Sequence, residues 1–188
     1  MLTFQGTHQL ETNLAHGKEL LIDPQFLVSA LRDVEVQSIS KDQATWLMKP
    51  HFSFIKTSLE TTLTILKGSK NSITTSDEQK DSSHSEQFSS GVISEGAISE
   101  GNIFFYQVVS KGIGATAEVE ISLQLTDLMN CGESGVHAPP IMIQWQAGIT
   151  KLTGLLKLVP KGLIESVAKQ VIEETWTNID EQIKLSKS

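Results

Sequence analysis

The residues of this chain best suited to chemistry are few. Gly112, Gly114 and Ala117 stand in the Gly-x-Gly-x-x-Ala spacing of a dinucleotide-binding turn. Such a turn works when a strand leads in and a helix leads out, because the helix N-terminus supplies the N–H groups that hold a pyrophosphate. Here the residues after the glycines alternate. Ala117, Val119, Ile121, Leu123 and Leu125 are apolar, and Glu118, Glu120, Ser122 and Gln124 between them are polar. Period two belongs to a strand with one dry face. The preceding "IFFYQVV" is aromatic and β-branched, so it too reads as strand. Strand, glycine pair, strand is a hairpin, and the glycines are expected to supply turn geometry rather than bind phosphate.

The other candidates are isolated. Cys131 and His137 lie six residues apart in the loop "MNCGESGVHAPP". A metal site needs three or four ligands, and no third is near. No Gly-x-Ser-x-Gly elbow occurs, so no nucleophile announces itself. His8 falls on the inward set of a strand and is expected to be a hydrogen-bonded histidine of the core or rim. His8 and Tyr106 are the ionisable exceptions on otherwise apolar strand faces. No cofactor is implied.

The elements that would position these side chains are read from periodicity. Leu2, Phe4, Gly6, His8 and Leu10 alternate with polar residues as a first strand. Residues 12–31 suggest two short helices broken at Asp23-Pro24, since proline favours a helix start. "VEVQSI" and "QATWLM" read as short strands around a Lys41-Asp42 turn, and "SLETTLTIL" alternates again. Ile141, Ile143, Trp145, Ala147 and Ile149 mark a last strand. After Pro160, apolar residues recur at steps of three and four from Leu163 through Ile183, which predicts a long amphipathic helix. Val171 is expected mid-stripe and buried, between Val167 and Thr175, with Glu174 on the wet face.

Two stretches interrupt the pattern. Of the 34 residues from Gly68 to Gly101, ten are serine, and six acids outweigh two lysines. Such a composition cannot bury enough apolar surface to offset its ordering entropy, so residues 69–100 read as a mobile insertion. Residues 129–140 form a second loop insertion. The remainder suits a single domain over 1–188. A net charge of −7 argues against nucleic acid as partner. The single cysteine permits no internal disulfide. With no apolar leader or span of about 18 residues visible, a soluble cytoplasmic protein is the expectation.

Strand, two short helices, six strands and a long helix is the helix-grip order of the START-like and polyketide-cyclase-like proteins: an α+β fold with a curved seven-stranded antiparallel sheet around a C-terminal helix. Within that group the chain resembles the G-type subunit family of the carbon monoxide dehydrogenases. "LIDPQFLVSALRDV" is similar to that family's helix pair after strand one. "SKGIGATAEVEISLQL" is similar to its glycine- and alanine-rich turn and alternating strand. "WQAGITKLTGLLKLVPKGLIESVAKQVIEETWTNI" is similar to its last strand, short Leu-Gly segment and final helix. Both insertions exceed the family pattern, and the hydrophobic C-terminal anchor of some relatives is not seen.

The resemblance implies a non-catalytic accessory protein that holds an apolar, lipid- or quinone-like molecule between sheet and helix. It also implies a molybdenum hydroxylase as partner. The lining would come from Trp46, Phe104, Tyr106, Trp145, Val167, Val171 and Trp176. The alternative is a cyclase- or hydrolase-like enzyme using the same cavity. The connection "KLTGLLKLVPKGLI" holds five aliphatic residues within eight positions, rimmed by Lys151, Lys157 and Lys161. Leu155 and Leu156 are expected to form a cavity mouth, hinged at Gly154 and Gly162, that touches a membrane surface transiently.

Overall fold

A computed structural model describes residues 2–49, 58–66, 102–128 and 140–186. The expected insertion at 69–100, the loop residues 129–139, and with them Cys131 and His137, lie outside the described residues. The element order is β1 (Leu2–Leu10), α1 (Leu14–Leu21), α2 (Pro24–Ser29), β2 (Val34–Ile39), β3 (Gln43–Met48), β4 (Leu59–Leu66), β5 (Ile103–Gly112), β6 (Ala115–Asp127), β7 (Ile141–Gly154), a 3₁₀ turn at Leu155–Leu158, and α3 (Lys161–Ser186). One antiparallel sheet runs β1-β7-β6-β5-β4-β3-β2, so β1 and β2 are its two edges. Register shifts at Val36/Ser38 and Glu118/Val119 bend the sheet. This is the helix-grip fold.

Local chemistry sets the boundaries. The Asn13 side chain caps α1 by accepting from the His16 N–H at 2.8 Å, and Asp23 caps α2 by accepting from the Gln25 N–H at 2.9 Å. Pro24 occupies the first turn of α2, where its missing N–H costs nothing. At the β5–β6 hairpin Gly112 pairs with Ala115, and Gly114 adopts φ 69°. The glycines of the Gly-x-Gly spacing therefore make a hairpin turn, and no helix follows them.

Residues facing each other across the ladders share a face, and the helix-facing side can be read as rows. One row is Phe4, Ala147, Ile121, Tyr106, Ile65; the next is Gly6, Trp145, Leu123, Phe104. The main core gathers Leu10, Leu21, Tyr106, Leu125, Ile141 and Ile143 around Ile179 and Ile183 of α3. Tyr106 is buried and donates its hydroxyl to the Leu21 carbonyl at 2.9 Å, tying β5 to α1. Burial without a charge partner pushes the phenol far above its ordinary range, so it stays a neutral donor. Tyr106→Phe should cost about 1–2 kcal/mol in urea unfolding, since a buried carbonyl loses its partner.

Two expectations need correction. β7 does not end at Ile149 but runs on to Gly154, because Leu152 and Thr153 still pair with Ala117 and Thr116. On α3 the inward residue is Ile172 rather than Val171, which is 37 % exposed. Both are apolar, and the sheet selects the one a 100° step away.

The strands that flank the 69–100 segment in sequence, β4 and β5, are neighbours in the sheet, with Leu66 opposite Phe105. Removing Ser69–Glu100 would leave Lys67, Gly68, Gly101 and Asn102 to turn the chain. The shortened protein is expected to fold with no loss of thermal stability, because loop closure gets easier by about 0.6 kcal/mol per halving of length. Circular dichroism melting checks this.

Candidate functional site

The two halves of α3 sit differently on the sheet. Its C-terminal half is held from several sides. Asn178 is buried and its amide donates to the Ala30 carbonyl at 2.8 Å. Ser29 bonds Gln182 at 2.8 Å, and Arg32 meets Glu181 at 3.2 Å. Ile179 and Ile183 enter the core. By contrast, no residue of α3 before Asn178 is buried. Ile164, Val167, Ala168 and Ile172 are only half-buried although they carry the apolar stripe.

The sheet opposite shows the same incompleteness. The row Leu2, Ile149, Val119, Val108, Leu63 lies on the helix-facing side, and all five are half-buried. Apolar residues on both layers are thus left partly uncovered. Between β1, β7 and α3 lies a cleft of about 490 Å³. Phe4, Trp145 and Ile172 give it apolar walls; Thr3 and Gln5 border it on β1; Lys169 and Glu173 stand at its rim on α3. Gly6 makes room for the wall, since a Cβ there would meet the Trp145 indole at 2.8 Å.

One turn further along α3 stands a polar cluster. The His8 ring stacks on Trp176 with centroids 4.6 Å apart and planes 18° apart. His8 Nε2 donates to both carboxylate oxygens of Asp180, each at 3.2 Å. Trp176 and Asp180 are one helical turn apart, so a single face of α3 holds the imidazole by stacking and by hydrogen bonding. This is the hydrogen-bonded rim histidine that the strand pattern suggests.

The structure distributes the sequence-named lining residues over several places. Trp145 lines the cleft. Phe104 is half-buried two strands away and packs on the main core, as does Trp176. Tyr106 lies inside that core. Trp46 is buried at the far side with Val28 and Ala44, beneath α2, and its indole N–H finds no acceptor among the described residues. Val167 is half-buried on α3, and Val171 is on the exposed flank.

At the expected mouth, Leu155 is 54 % exposed, whereas Leu156 is buried with Ala115 and Val159. Gly154 is no free hinge. It has φ 59° and ψ −136°, and a side chain there would run into the Gly114 carbonyl. Gly162 lies within the first turn of α3.

Sequence reasoning missed Lys169, Glu173 and Asp180. All three are polar residues on a helix, indistinguishable in sequence from solvated ones. Phe4 and Ile172 were legible as inward residues, but not as walls of one cleft. Among the described residues no three His, Cys, Asp or Glu side chains converge as a metal site. Nor, among them, is any helix long and apolar enough to cross a membrane.

No protein-family model matches the chain, and no curated protein matches its sequence. Solved structures do match. A conserved protein from Geobacillus kaustophilus superposes with a TM-score of 0.66 at 12 % identity, over 98 % of this chain and 97 % of that one. A Chromobacterium violaceum protein gives a TM-score of 0.49 at 10 % identity, over 95 % and 96 %. Ara h 8.0201 gives 0.42 at 12 % identity, over 97 % of each chain. At 12 % identity the first match speaks for the fold alone.

Proposed function

We propose that this chain is a carrier for an apolar small molecule, held between the sheet and the N-terminal half of α3. The observation that carries the reading is the half-buried apolar stripe of that half-helix, with a cleft beside it that Ile172 of the stripe shares with Phe4 and Trp145. A volume of about 490 Å³ is within the range of small-molecule sites, and the lining is mixed, with Phe4, Trp145 and Ile172 apolar and Thr3, Gln5, Lys169 and Glu173 polar. Phe4, Trp145 and Ile172 would hold the apolar body. Lys169 and Glu173 would face whatever polar end reaches the rim.

We read the carrier as non-catalytic; the alternative is a cyclase- or hydrolase-like enzyme using the same cleft. His8 donates from Nε2 to Asp180, and Tyr106 donates from its hydroxyl to Leu21. Cyclase- or hydrolase-like chemistry would draw on the His8 ring nitrogen that Asp180 does not hold, since a carboxylate-held imidazole still acts as a base. The resemblance to the G-type subunit of the carbon monoxide dehydrogenases supports a narrower version, in which the cargo is lipid- or quinone-like and is delivered to a molybdenum hydroxylase. That version rests on sequence likeness, and co-purification with such an enzyme would test it.

Organic extraction of the purified protein, followed by mass spectrometry, should release an apolar compound in near-stoichiometric amount. Emptied protein should bind anilinonaphthalene sulfonate, and Ile172→Gln should weaken that binding about tenfold, which corresponds to roughly 1.4 kcal/mol. An empty extract together with unchanged dye affinity in the variant would rule the carrier reading out.

A further inference from the structure

The end of the molecule at the β5–β6 hairpin exposes more aliphatic surface than its fold requires. Hairpin turns favour small or polar residues, because turn side chains stand in water. Here the turn holds Ile113, which is 80 % exposed. Beside it, Leu155 is 54 % and Leu158 80 % exposed, and Leu163 in the first turn of α3 is 42 % exposed. These side chains are not loosely strung. The Leu155 N–H donates to the Gly114 carbonyl at 3.2 Å, fastening the 3₁₀ turn to the hairpin. Leu156 and Val159 of the same segment point the other way and are buried against Ala115. The segment therefore has an inner face that anchors it and an outer face left uncovered among the described residues.

Charge identifies what would cover it. Lys111, Lys157 and Lys161 surround the tip, all exposed, in a chain whose net charge is −7. Lys157, between the two exposed leucines, makes no ion pair with any described residue. Lys161 is 3.8 Å from Glu165, Lys151 is bound to Glu118 at 2.9 Å, and Glu60 lies across the ladder from Lys111. The acids thus stand along the sheet and helix behind the tip. An aliphatic tip edged with ammonium groups matches an anionic bilayer, whose headgroups take the lysines and whose acyl boundary takes the leucines. A second copy of the chain fits poorly, because tip-to-tip contact would set lysines against lysines.

We propose that the β5–β6 hairpin and the 3₁₀ turn form a docking surface for an anionic lipid bilayer, with Ile113, Leu155 and Leu158 inserted below the headgroups. The rest of the chain, being acidic, is repelled by the same surface, so the protein would dock by this end only. This surface does not depend on whether the cleft carries a ligand.

The test is flotation of the full chain with phosphatidylcholine vesicles, with and without phosphatidylglycerol. The wild type should float with the anionic vesicles at least tenfold more than with neutral ones, and added salt should reduce the difference. Ile113→Ser combined with Leu158→Ser should lose at least tenfold of that binding. Its thermal stability and its affinity for anilinonaphthalene sulfonate in the cleft should be unchanged. Lys157→Glu should lose binding to anionic vesicles alone. As a control, Val36→Ser combined with Ile39→Ser changes exposed aliphatic residues on the edge strand β2 and should float like the wild type. The proposal is overturned if the wild type ignores anionic vesicles, or if the control loses as much binding as the tip variant. It is also overturned if the tip variant instead dissolves a concentration-dependent dimer that shows no lipid binding.

Discussion

Gly154→Ala is expected to destabilise the protein by about 3–5 kcal/mol and to lower its melting temperature by on the order of 10 °C. Two effects add. The backbone at Gly154 has φ 59° and ψ −136°, a region that residues with a side chain hardly enter. An added Cβ would also fall onto the Gly114 carbonyl, which is backbone and cannot swing aside. Relief would require the hairpin and the 3₁₀ turn to separate, and that would break the Leu155–Gly114 hydrogen bond. Gly162→Ala is the useful comparison. It is helical, with open space where its Cβ would go, and alanine should be neutral or slightly stabilising there. Calorimetry of the two variants decides between a locked joint at Gly154 and a hinge.

The second large effect distinguishes the gripped half of α3 from the open half. Ile183→Asp would place a carboxylate at a position that is 2 % exposed, among Leu10, Leu21 and Ile141, and should cost about 4 kcal/mol or more. Val171→Asp, on the exposed flank of the other half, should stay within about 1 kcal/mol. Urea unfolding of both measures the contrast. Comparable losses at the two positions would mean that the N-terminal half of the helix is as firmly seated as the C-terminal half, and that no space remains beneath it.

How far the sequence reaches is visible on α3 itself. Its length and amphipathic character follow from the three- and four-residue recurrence, and β1 through β7 follow from alternation and turn residues. Both signals are local, so a single chain carries them. The choice between Val171 and Ile172 is not local. Two adjacent aliphatic residues satisfy the same stripe, and only contact with the sheet selects one. The pairing of His8 with Asp180 spans 172 positions and leaves no trace in spacing. Lys169 and Glu173 look solvated because they are; what makes them rim residues is the absence of packing beside them, which no pattern of residue types encodes.

The position of β1 bears on how the chain reaches this fold. Leu10 pairs with Ile141, and Leu2 with Ile149, so the first strand finds its neighbour only after at least 130 intervening residues. The β5–β6–β7 run, by contrast, pairs its strands in sequence order. Closing so distant a pair carries the largest chain-entropy cost of any ladder in the sheet, and contacts of that separation slow folding. Local meander first and edge strand last is therefore the favoured order of assembly. Until β1 docks, β7 presents an unpaired edge, with bare N–H and C=O groups available to another chain. The same late step also completes the cleft, because Phe4 and Gly6 arrive with β1. Competence to bind a ligand would thus be gained only at the final stage of folding.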